Sequence, residues 1–315
     1  MSANALYPLK LRPALHTKIW GGRRLNTLMG KPLPGSELYG ESWELHDTAT
    51  VANGPMRGVH VGDLARTFGA ELLGSGNNPE DGFPLLAKLI DASEWLSIQA
   101  HPNDEQAQEL EGDPRGKSEA WVVLHAEAGA QLVIGLRRGT SREEMAEAIR
   151  CNRLEELLVY VEVKAGDALF IPANTIHALG PGLLIYEIQQ ASDVTYRLYD
   201  WGRLGLDGQP RELHIDKGVQ VANLDSLPRV VQPEGDLLVD CAYFRTWRHV
   251  LSGRGLAIET QGRFQSLTCI AGKCVVEVAA HEAIELSLGE TGLIPACFDI
   301  FRIRGAGTIL RSSQR

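Results

Sequence analysis

The sequence predicts a mainly β protein made of two related β-sandwich units, with a few short helices outside the sheets. Short apolar runs bounded by turn residues follow one another closely, among 33 glycines and 15 prolines, as the strands of sandwiches and barrels do. The segment Gly166-Asp-Ala-Leu-Phe-Ile-Pro172 is echoed by Gly289-Glu-Thr-Gly-Leu-Ile-Pro295. Each copy has a turn glycine followed by an acidic residue, then a short apolar strand ended by proline, as a sandwich edge requires. The echo predicts that the C-terminal third repeats the fold of the part before it.

In chain order, helical patterning first appears over Val61 to Leu73. It returns over Asp104 to Leu110 behind the capping residue Asn103, and over Ser141 to Ile149, where Ser141 and Glu144 have capping-box spacing. Strands are expected at Gln131 to Leu136, Leu158 to Val163, Ala168 to Pro172 and Leu183 to Ile188. In the second unit they are expected at Ser266 to Ile270, Lys273 to Val278 and Thr291 to Ile294. The polar, turn-rich stretch Gly205 to Pro233 reads as a linker. The expected division is therefore a larger unit over residues 1–235, with an N-terminal extension, and a smaller β unit over 236–315.

Composition excludes several classes. At 315 residues, 44% hydrophobic and 23% charged, the chain is an ordinary globular protein that can bury a large core. No apolar run is long enough to cross a bilayer, and Met1 to Lys10 lack the pattern of a secretory signal, so no membrane partner and a cytoplasmic location are expected. The net charge of -9, without a basic cluster, argues against nucleic acid as a partner. Cys151, Cys241, Cys269, Cys274 and Cys297 show no CxxC spacing, which predicts neither disulfides nor a thiolate metal site and leaves them as buried structural residues. Composition is silent on oligomeric state.

The chemistry concentrates elsewhere. Gln99 and His101 are separated by one residue, so on a strand they leave the same face and can reach one ion. Glu119 stands at the mouth of the apolar run Val122 to Leu124, and His177 follows a strand-ending proline. Imidazole, amide oxygen and carboxylate together suit a borderline cation such as zinc, and such a set leaves room for substrate. Lys88 interrupts an apolar run, an expensive place for an ammonium unless it meets an anion. Lys117 lies two residues before Glu119, and Arg197 lies in an aromatic-rich segment with Glu187 and Asp193 nearby in sequence. Five residues past the second Pro of the echo stands Ile300, where the first copy has His177, so only the first unit is expected to hold a metal.

Six segments carry a resemblance. Trp20-Gly21-Gly22, Gly40-Glu41-Ser42-Trp43-Glu44, Leu96 to Pro102, Gly116-Lys117-Ser118-Glu119, Ile171 to Ala178 and Gln189 to Asp193 together resemble the type I mannose-6-phosphate isomerases in their short bacterial form. The resemblance spans residues 15–203 and is weak in the C-terminal third. It implies two cupin-like (jelly-roll) β-sandwich units and one zinc ion per chain on Gln99, His101, Glu119 and His177. It also implies sugar-phosphate contacts from Lys88, Ser97 and Trp20, and catalytic roles for Arg197, Lys117 and Glu187. The implied activity is an aldose–ketose isomerisation of mannose 6-phosphate and fructose 6-phosphate through an enediolate. The segment Tyr-Arg-Leu-Tyr-Asp around Arg197 departs from the long-form relatives. Two other readings stay open at this level: a sugar-phosphate sensor without turnover, and an iron-containing cupin oxygenase, since two histidines and a carboxylate also suit ferrous iron.

Overall fold

The computed structural model describes residues 6–315. Two antiparallel sheets dominate it. The first runs Ala168–Ile171, Glu119–Ala126, Leu183–Gln190, Leu85–Ala92, Tyr39–Leu45 and Ala14–Gly22 in spatial order. The main path of the second runs Leu237–Asp240, Phe244–Ser252, Ile300–Gln314, Gln265–Glu277 and Thr291–Ile294, and then takes in Leu9–Arg12 and Thr50–Val51 from the other end of the chain.

Five strands correspond between the sheets, in the same spatial order and the same order along the chain. The segments of the sequence echo occupy equivalent places: Ile171 pairs with Glu119, and Ile294 pairs with Gln265.

The sheets lie back to back, and the alternation of side chains along each strand decides what faces where. From Leu183–Gln190, Leu184, Tyr186 and Ile188 enter a core shared with Phe244, Leu293 and Leu310 of the second sheet. The Tyr186 hydroxyl meets Ser312 Oγ at 2.9 Å across that seam. Leu183 and Ile185 point the other way, into a core with Leu132, Ile134 and Leu179 of a three-stranded sheet that closes the first sandwich. A two-stranded ladder, Ile98–Ala100 with Tyr196–Tyr199, completes that unit.

The helices sit outside the sheets. Gly69, at φ 49°, breaks the predicted Val61 to Leu73 helix into Val61–Phe68 and Ala70–Leu73. Asp104–Glu111 carries a complete capping box from Asn103 and Gln106, whereas at Arg142–Arg150 only the Ser141 side chain caps, accepting from the Glu144 amide. The runs Ser266 to Ile270 and Lys273 to Val278 are one strand, Gln265–Glu277, with an irregularity between Cys269 and Ala271. Gly205 to Pro233 is not a bare linker: it forms the helix Ile215–Val221, whose Val221 is buried, and Val231 bridges to Ala168. Cys241, Cys269 and Cys274 are buried as expected, while Cys151 and Cys297 are exposed. Among the described residues no helix is long and apolar enough to cross a membrane.

Candidate metal centre and substrate cleft

Backbone pairing assembles the metal-ligating candidates before their side chains act. Gln99 donates its amide to the His177 carbonyl at 3.1 Å and accepts from the His177 amide at 3.0 Å, so the two residues lie side by side. His101 follows on the same face one residue past the strand Ile98–Ala100, where Pro102 ends the run. Glu119 opens its strand beside Ile171, and Arg197 stands opposite Gln99 in the two-stranded ladder.

The side chains complete the group. Ligand atoms of His101, Glu119 and His177 all lie within 4.8 Å of one another, and all three residues are buried. His177 Nε2 is 3.2 Å from Glu119 Oε1, and His101 Nε2 is 3.6 Å from Glu119 Oε2. The ring Nδ1 of His101 bonds the Val194 carbonyl at 3.0 Å, and that of His177 bonds the Thr175 carbonyl at 2.9 Å. These carbonyls accept the ring protons and so turn both Nε2 lone pairs inward, as for metal-ligating histidines. Both Glu119 oxygens are sealed from solvent, and among the described residues Lys117 Nζ, 3.2 Å from Oε2, approaches without well-aligned hydrogen-bonding geometry. The Gln99 amide lies 3.3 Å from His177 Nε2, and a half-turn of the amide brings its oxygen to that spot.

Electrostatics favours the deprotonated forms. Burial, and then the Lys117 charge, hold His101 well below the usual histidine range. For Glu119 burial pushes the other way, but Lys117, followed by His177, outweighs it and keeps the carboxyl well below the usual carboxylate range. A neutral His101 imidazole beside an ionised, buried carboxylate fits a borderline divalent cation such as zinc.

This group adjoins a cleft of about 240 Å³. Of the residues singled out in sequence, Trp20, Lys88, Ser97, Gln99, Lys117, Glu187 and Arg197 all line it. Lys88 and Glu187 are opposed on neighbouring strands and form a buried ion pair at 2.9 Å, while Trp121 Nε1 donates to the other Glu187 oxygen at 2.8 Å. Burial works against the Lys88 charge, but Glu187 and then Glu41 raise its pKa above the usual lysine value. Lys117 Nζ lies 3.1 Å from His101 Nε2 and 3.2 Å from Glu119 Oε2. Arg197 donates from Nη1 to the Glu212 carbonyl at 2.7 Å, while its Nε is buried without an acceptor. Burial, then the nearby Arg211, lowers its pKa.

Sequence reasoning gave no role to Lys18, Glu41, Trp43, Thr195 and Arg211, which also line the cleft. The signal for two of them was present in Gly40 to Glu44, because strand alternation sends Glu41 and Trp43 to one face and Ser42 and Glu44 to the other. Trp43 Nε1 donates to Glu41 at 2.8 Å, and Lys18 is 3.4 Å away. Burial would raise the Glu41 pKa, but Lys88, then Lys18, brings it down to about 2. On the opposite face Glu44 is buried against Lys31 at 2.6 Å and accepts from Thr291 at 2.9 Å, joining the two sheets. Trp20 reaches its place because residue 40 is glycine: a Cβ there would lie 2.5 Å from Trp20 Cζ3.

The family described as "Phosphomannose isomerase type I, catalytic domain" matches residues 8–117, and "Mannose-6-phosphate isomerase, cupin domain" matches residues 235–314. The second match corrects the view that the C-terminal third resembles the family only weakly. The chain is 34% identical over 316 residues to the mannose-6-phosphate isomerase of Streptococcus mutans, covering 97% of this chain and 98% of that one. To the mannose-6-phosphate isomerase ManA of Bacillus subtilis it is 34% identical, covering 95% and 96%. The crystal structure of a Bacillus subtilis mannose 6-phosphate isomerase aligns with a TM-score of 0.87 at 32% identity, over 98% of this chain and 99% of that chain. A putative mannosephosphate isomerase from Archaeoglobus fulgidus shares the fold, with a TM-score of 0.79 at 23% identity over 98% of each chain. Near-full-length identity thus accompanies a shared two-sheet fold, and the chain belongs to the type I phosphomannose isomerase family, a family of aldose–ketose isomerases.

Proposed function

We propose that this chain interconverts mannose 6-phosphate and fructose 6-phosphate, with one zinc ion held by Gln99, His101, Glu119 and His177. The observation that carries the reading is the buried group His101, Glu119 and His177, whose ligand atoms lie within reach of one ion, beside a cleft lined by lysines and arginines. Bound there, zinc would supply a Lewis acid for the oxygens of the reacting carbons.

The remaining work falls to the chain's own groups. Isomerisation moves a proton between C1 and C2 by way of an enediolate, so it needs a proton carrier and positive charge near the oxygens. Lys117 and Glu187, both on the cleft wall, are the two candidates for that carrier. Arg197, with its unpartnered Nε, balances the developing negative charge. Lys88 and Ser97 hold the phosphate away from the reacting carbons, and Trp20 gives the sugar an apolar wall, so remote binding orients the substrate. The substrate's charge confines it within the cell, which puts the reaction in the cytoplasm. Residues 1–235 form the unit with the metal centre, and 236–315 form a smaller unit without one. Support for that division comes from the cupin match beginning at 235 and from Ile300, half exposed where the first unit has His177.

The test is a coupled assay on metal-loaded protein, with and without chelator, together with solvent deuterium exchange into C2. Turnover lost on chelation and restored by zinc is the expected result. Sugar-phosphate binding without exchange, at verified full metal occupancy, would overturn the proposal.

A further inference from the structure

The correspondence between the two sheets can be followed residue by residue. Starting from the equivalent isoleucines, Glu119 is matched by Gln265. On the next strand Glu187 opposes Trp121, and Arg311 opposes the matching Leu267. One strand further, Lys88 opposes Glu187, and Trp247 opposes Arg311; beside them Ile90 is matched by His249. The positions that hold two carboxylates and a lysine in the first unit thus hold an amide, an arginine and an indole in the second. The local charge has changed sign.

Arg311 is only 9% exposed. Its guanidinium carbon lies 3.6 Å from the centre of the Trp247 ring. Nε donates to His249 Nε2 at 3.1 Å, and Nη1 donates to Gln265 Oε1 at 2.7 Å. Both acceptors are neutral, since burial and the arginine itself lower the His249 pKa. Among the described residues Nη2 makes no hydrogen bond, yet it is not sealed from solvent. The neighbouring acidic group, the largely exposed Asp236, approaches His249 Nδ1 at 3.5 Å, and among the described residues no carboxylate lies within 4.0 Å of the guanidinium. His249 is 7% exposed, and among the described residues its Nδ1 has no well-aligned hydrogen-bond partner. Burial lowers the Arg311 pKa to about 10, so the group is still charged at neutral pH. Asp236 supports that charge only from beyond ion-pair distance, and a buried guanidinium without a paired anion is costly, with oxyanions its natural partners.

We propose that this part of the C-terminal unit is a second ligand site, in which Arg311 binds a small oxyanion, phosphate or carboxylate, through its free Nη2 edge. The site is independent of the metal centre and does not rest on the isomerase reading.

Equilibrium dialysis of the full chain with radiolabelled phosphate, and separately with acetate, tests it in wild type, Arg311→Met and Gln265→Glu. The second variant places a carboxylate against Nη1, as the first unit has at Glu119, and fills the counter-ion's role without removing the arginine. Both variants are expected to lose one bound anion per chain, with affinity falling more than about tenfold, while kcat/KM for the sugar phosphate stays at the wild-type value. Gln265→Glu should also melt higher. The arm that binds tells phosphate from carboxylate. Isotherms identical in all three proteins would overturn the proposal. So would a loss in Arg311→Met alone, because damage to the fold would then explain it.

Discussion

Gln99 and His177 exchange both of their backbone hydrogen bonds, so the two residues share one point in the fold although 78 positions separate them. The metal group therefore depends on side-chain chemistry at a backbone position that is already fixed. His177→Ala should leave the strands paired and the protein folded, while zinc per chain, measured by elemental analysis, falls well below one. Turnover should drop about a hundredfold or more. Unchanged metal stoichiometry would remove His177 from the ligand set.

Lys88 and Glu187 are a buried pair at 2.9 Å, and removing one partner strands the other. Lys88→Met should destabilise the protein by about 3–5 kcal/mol in urea unfolding. Adding Glu187→Gln to that variant should recover part of the loss, giving a coupling energy above about 1 kcal/mol. Strict additivity of the two changes would show that the pair does not interact.

Glu41 titrates at about 2 in the folded chain, against an ordinary value of 4.5. Because the folded value is depressed, its contribution is fully present above about pH 4.5 and is lost as the pH falls toward 2. The difference amounts to roughly 3 kcal/mol. Glu41→Gln should be less stable than wild type at neutral pH, and the gap should close progressively below about pH 4.5. Parallel unfolding curves at all pH values would contradict this assignment.

Gly40→Ala tests the seat of Trp20. The added methyl would stand 2.5 Å from the indole and 2.6 Å from Lys18 Cγ, so the ring must shift into the cleft. A destabilisation of about 1–3 kcal/mol and a raised KM for sugar phosphate are expected, with zinc content unchanged. A KM equal to wild type would place Trp20 outside the substrate's reach.

The metal group was legible because its pieces are local: Gln99 and His101 are two positions apart, Lys117 and Glu119 likewise, and His177 follows a strand-ending proline. The apolar runs from Gln131 to Ile188 were legible for the same reason, since alternation and turns are short-range signals. Long-range pairing was not. Nothing in the four residues Leu9–Arg12 names Thr291–Ile294 as their partner. Glu41 and Trp43 could be assigned to one face, but which face met the cleft depended on the strand beside them. The helix Ile215–Val221 was hidden because it is short and carries Gly218 at its centre, and it is stabilised by docking Ile215, Val219 and Val221 onto a core built from other segments. Arg311 escaped notice because its meaning lies in what is missing around it, which only the folded neighbours reveal.

The strand Leu9–Arg12 sits between Thr291–Ile294 and Thr50–Val51 in the second sheet, so one of its edges has a partner nearby in sequence and the other must wait for a partner made much later. On the ribosome that second edge stays unpaired until residue 294 has emerged. Such non-local closure slows folding and leaves the nascent chain exposed to wrong partners. Premature termination anywhere before Thr291 would therefore damage the N-terminal region as well as the missing end.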